Sequence, residues 1–277
     1  MLSKQEIHTF NDTPRILLQA NEFICLRPHA RLSLYISNYN ITFPTKELLS
    51  VGFITIPSGC ATLTIEQDNR KISSTLDGPS TKPYTELFAG TEGKLLVSIE
   101  FKPAGLYALT GISQRELLDT SIPFEAVHPK LSKLISEALE KADSITELAN
   151  SLDSLLLENI RKAYHPQLNL TLQNIVSCAG NIAVKRLSDD IHYSERQLNR
   201  IFKEQVGVSA KSFSRLIRIN KSFRLLKKPQ KSLSLVSDLM GFHDLSHFIR
   251  DFESVCGVTP GEYRQNMSDF YINTTKF

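Results

Sequence analysis

Two arginines fifty residues apart, Arg200 and Arg250, hold matching places in stretches that read alike, NRIFKEQVGVS and IRDFESVCGVT. A guanidinium is a planar fork of donors that can bridge guanine O6 and N7. In the first stretch Ser194 stands as a helix cap and Leu198, Ile201 and Phe202 face inward, which leaves Glu195, Arg196, Asn199, Arg200 and Lys203 outside. In the second, Leu245, Phe248, Ile249 and Phe252 fall at i, i+3, i+4 and i+7 and form one inward stripe, so Ser246, His247 and Arg250 face out. Cations mixed with an amide, an imidazole and a hydroxyl on an outward helix face suit two tasks: displacing phosphate counterions and bonding base edges.

Other reactive side chains point to less. His243 and His247 are four apart, but no third ligand is near and there is no H-E-x-x-H, so no metal is expected. Cys25, Cys60, Cys178 and Cys256 are scattered without C-x-x-C spacing and read as reduced, mostly buried thiols. Neither Cys25 nor Cys60 has the surroundings of an activated nucleophile, so an enzyme is not expected, nor a cofactor. In the N-terminal half, His29 after Pro28 and Lys102 in the turn Lys102-Pro103-Ala104-Gly105 are candidates for touching a small-molecule effector. The alternatives are a structural histidine and a plain turn.

The outward faces need helices with defined ends. Asp244 is placed to cap the second helix through the N–H of His247, Gly257 to close it in the left-handed conformation, and Pro260 to stop any continuation. A short helix, a tight turn through Gly241 and this second helix make a helix-turn-helix over Val236 to Arg264. The unit is repeated. Ser194, Leu198, Arg200, Phe202, Gly207, Val208 and Ser209 match Asp244, Phe248, Arg250, Phe252, Gly257, Val258 and Thr259 at an offset of 50. Ahead of the turns Leu187, Ser188 and Asp189 match Val236, Ser237 and Asp238 at 49, so the second turn carries one extra residue. Between the units, Ser212 to Lys228 reads as a rigid connecting helix with Phe213, Leu216, Ile219, Phe223 and Leu226 on its apolar face. At about 1.5 Å per residue it spans roughly 25 Å, which with flanking helices suits the ~34 Å of one duplex turn.

GFHDLSHFIRDFESVCGVTPGEYR, with HYSERQLNRIFKEQVGVSAKSFSRLIRINKSFRLL before it, resembles the double helix-turn-helix domain of the AraC/XylS transcription regulators over roughly Leu170 to Arg264. The departures are Ser188 and Ser237 where that family usually has Ala, His192 for the Gly before the first turn, and Ala210 where Pro is common. The resemblance implies base-facing positions at Arg196, Asn199 and Arg200, and at Leu245, Ser246, His247 and Arg250. It also implies a bacterial regulator, an activator, that touches RNA polymerase. Asn199 would read adenine, His247 a base or phosphate, and Leu245, rolled outward, a thymine methyl.

At 277 residues the chain has room for two domains. Residues 1–113 are expected to be β-rich, from LSLYISNYNITF, SVGFITIPSG, ATLTIEQDNR, YTELFAG and KLLVSIEF, and RPHARLSLYISNY, TIPSGCATLTI and VSIEFKPAGLYALTGIS resemble a sensory domain often fused to such regulators. Residues 114–163 turn helical, with stripes through Leu131, Leu134, Ile135, Ala138 and Leu139 and through Ile145, Leu148, Leu152, Leu155 and Leu156, and a capping box at Ser144 and Glu147. They pack on the β domain or form a homodimer interface. Residues 164–169 read as a linker and 170–277 as the DNA-binding domain, its helix-turn-helices at about 183–206 and 233–256.

The net charge of +3 divides unevenly: 16 Lys and Arg against 10 Asp and Glu from residue 170 onward, 16 against 19 before it. The basic half is the half with the repeat. With no apolar run near 18 residues and no hydrophobic signal core, the chain is expected to stay in the cytoplasm, away from membranes. The fold class expected is α+β: a β-rich sensory domain with a helical extension, then an all-α double helix-turn-helix domain. The function expected is a sequence-specific, effector-responsive regulator binding double-stranded DNA. The alternatives are an N-terminal module that docks a partner protein with no small molecule, or one that senses by chemistry.

Overall fold

The computed structural model describes residues 2–45, 53–68, 71–86, 94–162 and 165–265. The N-terminal half holds α1 (Gln5–Thr9), β1 (Ile16–Gln19), β2 (Phe23–Leu26), β3 (Ile36–Thr42), β4 (Phe53–Thr55), β5 (Thr62–Asp68), β6 (Lys71–Asp77), β7 (Tyr84–Glu86), β8 (Leu95–Phe101), α2 (Gly105–Thr110), β9 (Ser121–Pro123), α3 (Phe124–Val127), α4 (Pro129–Lys141) and α5 (Ile145–Asn159). Seven strands form one antiparallel sheet in the order β1-β2-β3-β8-β5-β6-β9, and β4 pairs with β7. Alternation gives the sheet two unlike faces. Tyr39, Ile41, Leu63, Ile65, Val97 and Ile99 share one core with Leu131, Ile135 and Leu139 of α4 and Leu148, Leu152 and Leu156 of α5. The helical extension is therefore packed on the sheet.

Asp153 of α5, 6% exposed, fastens this packing. Its carboxylate accepts from Arg15 at 2.8 Å, from the His29 backbone N–H at 2.8 Å and from the Tyr39 hydroxyl at 2.8 Å. Burial, then the neighbouring Asp153 charge, pushes the Tyr39 phenol well above its ordinary pKa.

The expected strands correspond to β3, β4, β5, β7 and β8, while β1, β2, β6 and β9 went unread. The first expected run starts too early: Ala30–Leu32 is a 3-10 turn, and the strand begins at Ile36. Lys71–Asp77 is polar at most positions and becomes a strand through its ladder with β5, from Asp68↔Lys71 to Thr62↔Asp77. Segment 114–163, expected helical, also supplies β9, paired with β6. Residues 50–52, 69–70 and 87–90 of the expected strands lie outside the described residues, as do 163 of the helical extension, 164 of the linker and 266–277.

The C-terminal half is helical: α6 (Pro166–Ser177), α7 (Val184–Asp190), α8 (Glu195–Gln205), α9 (Ala210–Leu226), α10 (Leu233–Leu239), α11 (Leu245–Cys256) and α12 (Pro260–Gln265). Pro166, read as linker, opens α6 at its first turn, where a missing N–H costs nothing. The connecting helix α9 is a wall shared by two cores. Phe213 and Ile217 pack with Leu198 and Phe202 of the first unit, whereas Leu216, Ile219, Phe223 and Leu226 pack with Val236, Phe248 and Phe252 of the second.

Candidate nucleic-acid interface

Each outward helix is held at both ends by its own chemistry. On α8 the Ser194 hydroxyl accepts from Gln197 N–H at 3.2 Å, while the Gln197 side-chain oxygen accepts from Ser194 N–H at 3.0 Å, a complete capping box. On α11 Asp244 accepts from His247 N–H at 2.7 Å. That bond, then the His243 imidazole, holds the Asp244 carboxyl below its ordinary range. Gly257 closes α11 at φ +73°.

The turns repeat as well. Tyr193 N–H donates to Ser188 O at 3.0 Å and Phe242 N–H to Ser237 O at 3.1 Å, with His192 and Gly241 both left-handed at φ +58° and +69°. The second turn is longer by one residue after Phe242. His243 thus reads as the insertion; its side chain is 89% exposed and bonds only locally, to Asp244 at 3.0 Å. The closing Glu-Tyr-Arg also has work at every position. Glu262 completes a capping box with Thr259, Tyr263 stacks on Phe223 at 4.8 Å, and Arg264 donates to Leu226 O at 3.1 Å at the end of α9.

Arg196, Arg200 and Lys203 are exposed together on one face of α8. Ser246, Arg250 and Glu253 form the equivalent face of α11. Glu253 was not among the expected site residues, although the offset of 50 from Lys203 points to it. The inward face of α11 is Phe248, Phe252, Val255 and Cys256; Leu245 and Ile249 sit half-buried at its edge, not at its centre. Asn199 is half-buried, and its side-chain oxygen accepts from Ala210 N–H at 3.2 Å. That bond anchors the start of α9 and occupies one arm of the bidentate adenine contact expected of this residue. His247 lines one recess with Arg215 and Arg218 of α9, its ring meets Phe242 edge-on at 5.4 Å, and Nε2 lies 3.5 Å from Asp251.

In the N-terminal half the two effector candidates find structural work. The His29 ring accepts from Arg31 N–H at 3.2 Å and caps the Ala30–Leu32 turn. Lys102 is half-buried, which lowers its ammonium pKa, and its backbone N–H donates to Tyr35 O at 2.8 Å. The sheet's other face was not anticipated. Asn38, Thr62 and Thr64 are buried there. Thr62 donates to Glu100 at 2.9 Å, Thr64 faces Ser98 at 3.5 Å, and Asn38 donates to Asn40 at 3.1 Å. Burial, then the Glu100 carboxylate, pushes the Cys25 thiol up to about 12, so it stays protonated. The polar alternates along ATLTIE and LVSIEF were the available signal.

The two halves meet along the repeat. Gln114 N–H donates to Glu204 O at 2.7 Å and the Tyr107 hydroxyl to the Glu204 carboxylate at 3.3 Å. Asn220 of α9 donates to Pro57 O at 2.9 Å, and Ala104, at φ +64° in the Lys-Pro-Ala-Gly turn, joins the apolar cluster of the first unit. A strap over residues 78–83 touches both units at equivalent glycines. Pro79 lies against Gly207, and Pro83 lies against Gly257.

Residues 187–266 match the family model described as a helix-turn-helix domain, and residues 25–123 match one described as a domain of unknown function, DUF6597. The HTH-type transcriptional activator RhaR of Pectobacterium carotovorum subsp. carotovorum (strain PC1) is 30% identical over 39% of this chain. The arabinose operon regulatory protein of Escherichia coli (strain K12) is 26% identical over 51% of it. The C-terminal domain is of the AraC type. The HTH-type transcriptional regulator MtrA of Neisseria gonorrhoeae is 28% identical over 53% of the chain. This chain spans 38%, 53% and 56% of the lengths of RhaR, the arabinose regulator and MtrA. No helix among the described residues is long and apolar enough to cross a membrane.

Proposed function

We propose that this protein is a sequence-specific DNA-binding transcription regulator whose α8 and α11 enter successive major grooves on one side of the duplex. The observation that carries the reading is the repeated outward face, with Arg200 and Arg250 at equivalent exposed positions on two capped helices joined through one rigid α9. Arg196, Arg200 and Arg250 would bond base edges, and Lys203 a phosphate. Ser246 and Leu245 would make the closest approach of α11. His247, in its recess with Arg215 and Arg218, would meet a phosphate at most. Asn199 would keep only its amide N–H free for a base.

The activator sense, with RNA polymerase as the contacted partner, is inferred from likeness to relatives of which RhaR is named an activator. The sensory role of the N-terminal half is supported by the buried polar face around Asn38, Thr62 and Glu100, which could bond a small polar effector. A homodimer would use the outer side of α4 and α5, where Leu134, Ala138 and Leu155 line a groove of about 630 Å³.

Selection of bound duplexes from a random library tests the groove reading. Wild type should select two short blocks about 10–10.5 base pairs apart. Arg200→Ala should relax one block and Arg250→Ala the other. Uniform weakening by both variants would make these arginines phosphate contacts and end the base-reading assignment.

A further inference from the structure

Between the strap and the second unit lies a cavity of about 430 Å³, with Thr81 on the strap side and Lys211, Ser212, Arg215, Arg218, His247 and Asp251 on the helix side. Its charge is out of balance: three permanent cations line it with one carboxylate. Asp251 lies 3.8 Å from Arg215 and 3.5 Å from His247, so its charge is already shared. Arg218 is held half-buried over the Phe242 ring at 5.0 Å and donates to Gly180 O at 3.2 Å, yet its Nε is buried without a hydrogen-bond partner. A recess lined mainly by one sign of charge gathers counter-ions, and two guanidinium groups and an ammonium held together repel one another until an anion arrives. The volume falls within the ~300–1,000 Å³ of small-molecule sites, and forked guanidinium donors favour oxyanions.

We propose that this cavity binds the carboxylate or phosphate group of a small organic anion, held by Lys211, Arg215 and Arg218. Because Thr81 belongs to the strap, an occupant touches both halves of the chain at once. Thr81 is itself fixed by Asp119, which accepts from its N–H at 2.6 Å and its hydroxyl at 2.8 Å. The site is distinct from the polar sheet face and does not depend on the DNA-reading assignment.

Titration calorimetry on the full chain, with inorganic phosphate, citrate and 3-phosphoglycerate at constant ionic strength, tests it. At least one probe should bind saturably at a single site. Lys211→Gln and Arg215→Gln should each weaken that binding about tenfold. Asp251→Asn, which removes the lone carboxylate, should tighten it, a sign that a merely structural role would not produce. Absence of saturable binding by all three probes, or binding indifferent to Lys211→Gln and Arg215→Gln, or weakening by Asp251→Asn, overturns the proposal. Lys211 is exposed, so its variant keeps the test alive should Arg215→Gln not fold. Duplex binding supplies the other arm, since DNA phosphate shares this chemistry. If the probes find no site while each substitution lowers the salt slope of duplex binding by about 1, the cations hold DNA and the small-anion site is wrong. Probe binding that persists in a chain with no duplex affinity would leave this site standing and the DNA reading fallen.

Discussion

His192 takes the left-handed backbone that Gly241 supplies in the second unit, and a residue with a Cβ pays for that conformation. His192→Gly should therefore stabilise the fold by about 0.5–1 kcal/mol in chemical denaturation. Gly241→Ala should do the reverse and more, since its Cβ would also run into the Asn181 side chain. The lowered carboxyl pKa values of Asp244 and Glu262 set a pH dependence of definite sign. Their backbone and side-chain hydrogen bonds favour the ionised form in the folded state. That stability is fully present above the ordinary carboxylate pKa and is lost as pH falls through the lowered values. A pH series of denaturation midpoints should show a shallower acid-side fall for Asp244→Asn than for wild type. These caps were legible because a cap is bonded within three residues of itself. Asp153 was not, because its partners are 114 to 138 residues away and nothing local marks it as buried.

Among the elements, the two outward helices differ in charge. The α8 face carries Arg196, Arg200 and Lys203, whereas the equivalent face of α11 carries Ser246, Arg250 and Glu253. The salt dependence of duplex binding should arise mainly on α8. Lys203→Ala should reduce the slope of log affinity against log salt by about 1, and Glu253→Ala should leave it unchanged or steepen it. Helix α9 couples the two cores. Phe223, stacked on Tyr263 and edge-on to Phe252 at 5.7 Å, should cost about 3–5 kcal/mol as Phe223→Ala in urea denaturation. Helices α4, α5, α8, α9 and α11 were readable since each carries a stripe at helical period and a side-chain cap. Strand β6 was not, since Ile72 and Leu76 are its only apolar residues and its register comes from β5.

Across the whole molecule, the strap joins the halves through close contacts at glycine. At Gly207, φ is +94° and a Cβ would stand 3.0 Å from Gln114 O and 3.2 Å from Pro79. Gly207→Ala should destabilise the chain by about 1–2 kcal/mol and speed amide exchange along residues 78–83. Gly261→Ala, where a Cβ meets only Thr259 at 3.9 Å among the described residues, should be neutral or stabilising in the same measurements. The seam could not be read from sequence, because Gly207 and Gly257 already had a sufficient reason as helix stops. Their second partners, Pro79 and Pro83, sit in a stretch that reads as an ordinary turn. The unequal faces of α8 and α11 have one more consequence. Two units in tandem with different side chains, joined in fixed order by α9, have no two-fold axis, so one copy of this chain has a direction. The DNA word it reads would be non-palindromic, and reversing that word end for end would be as damaging as changing its letters.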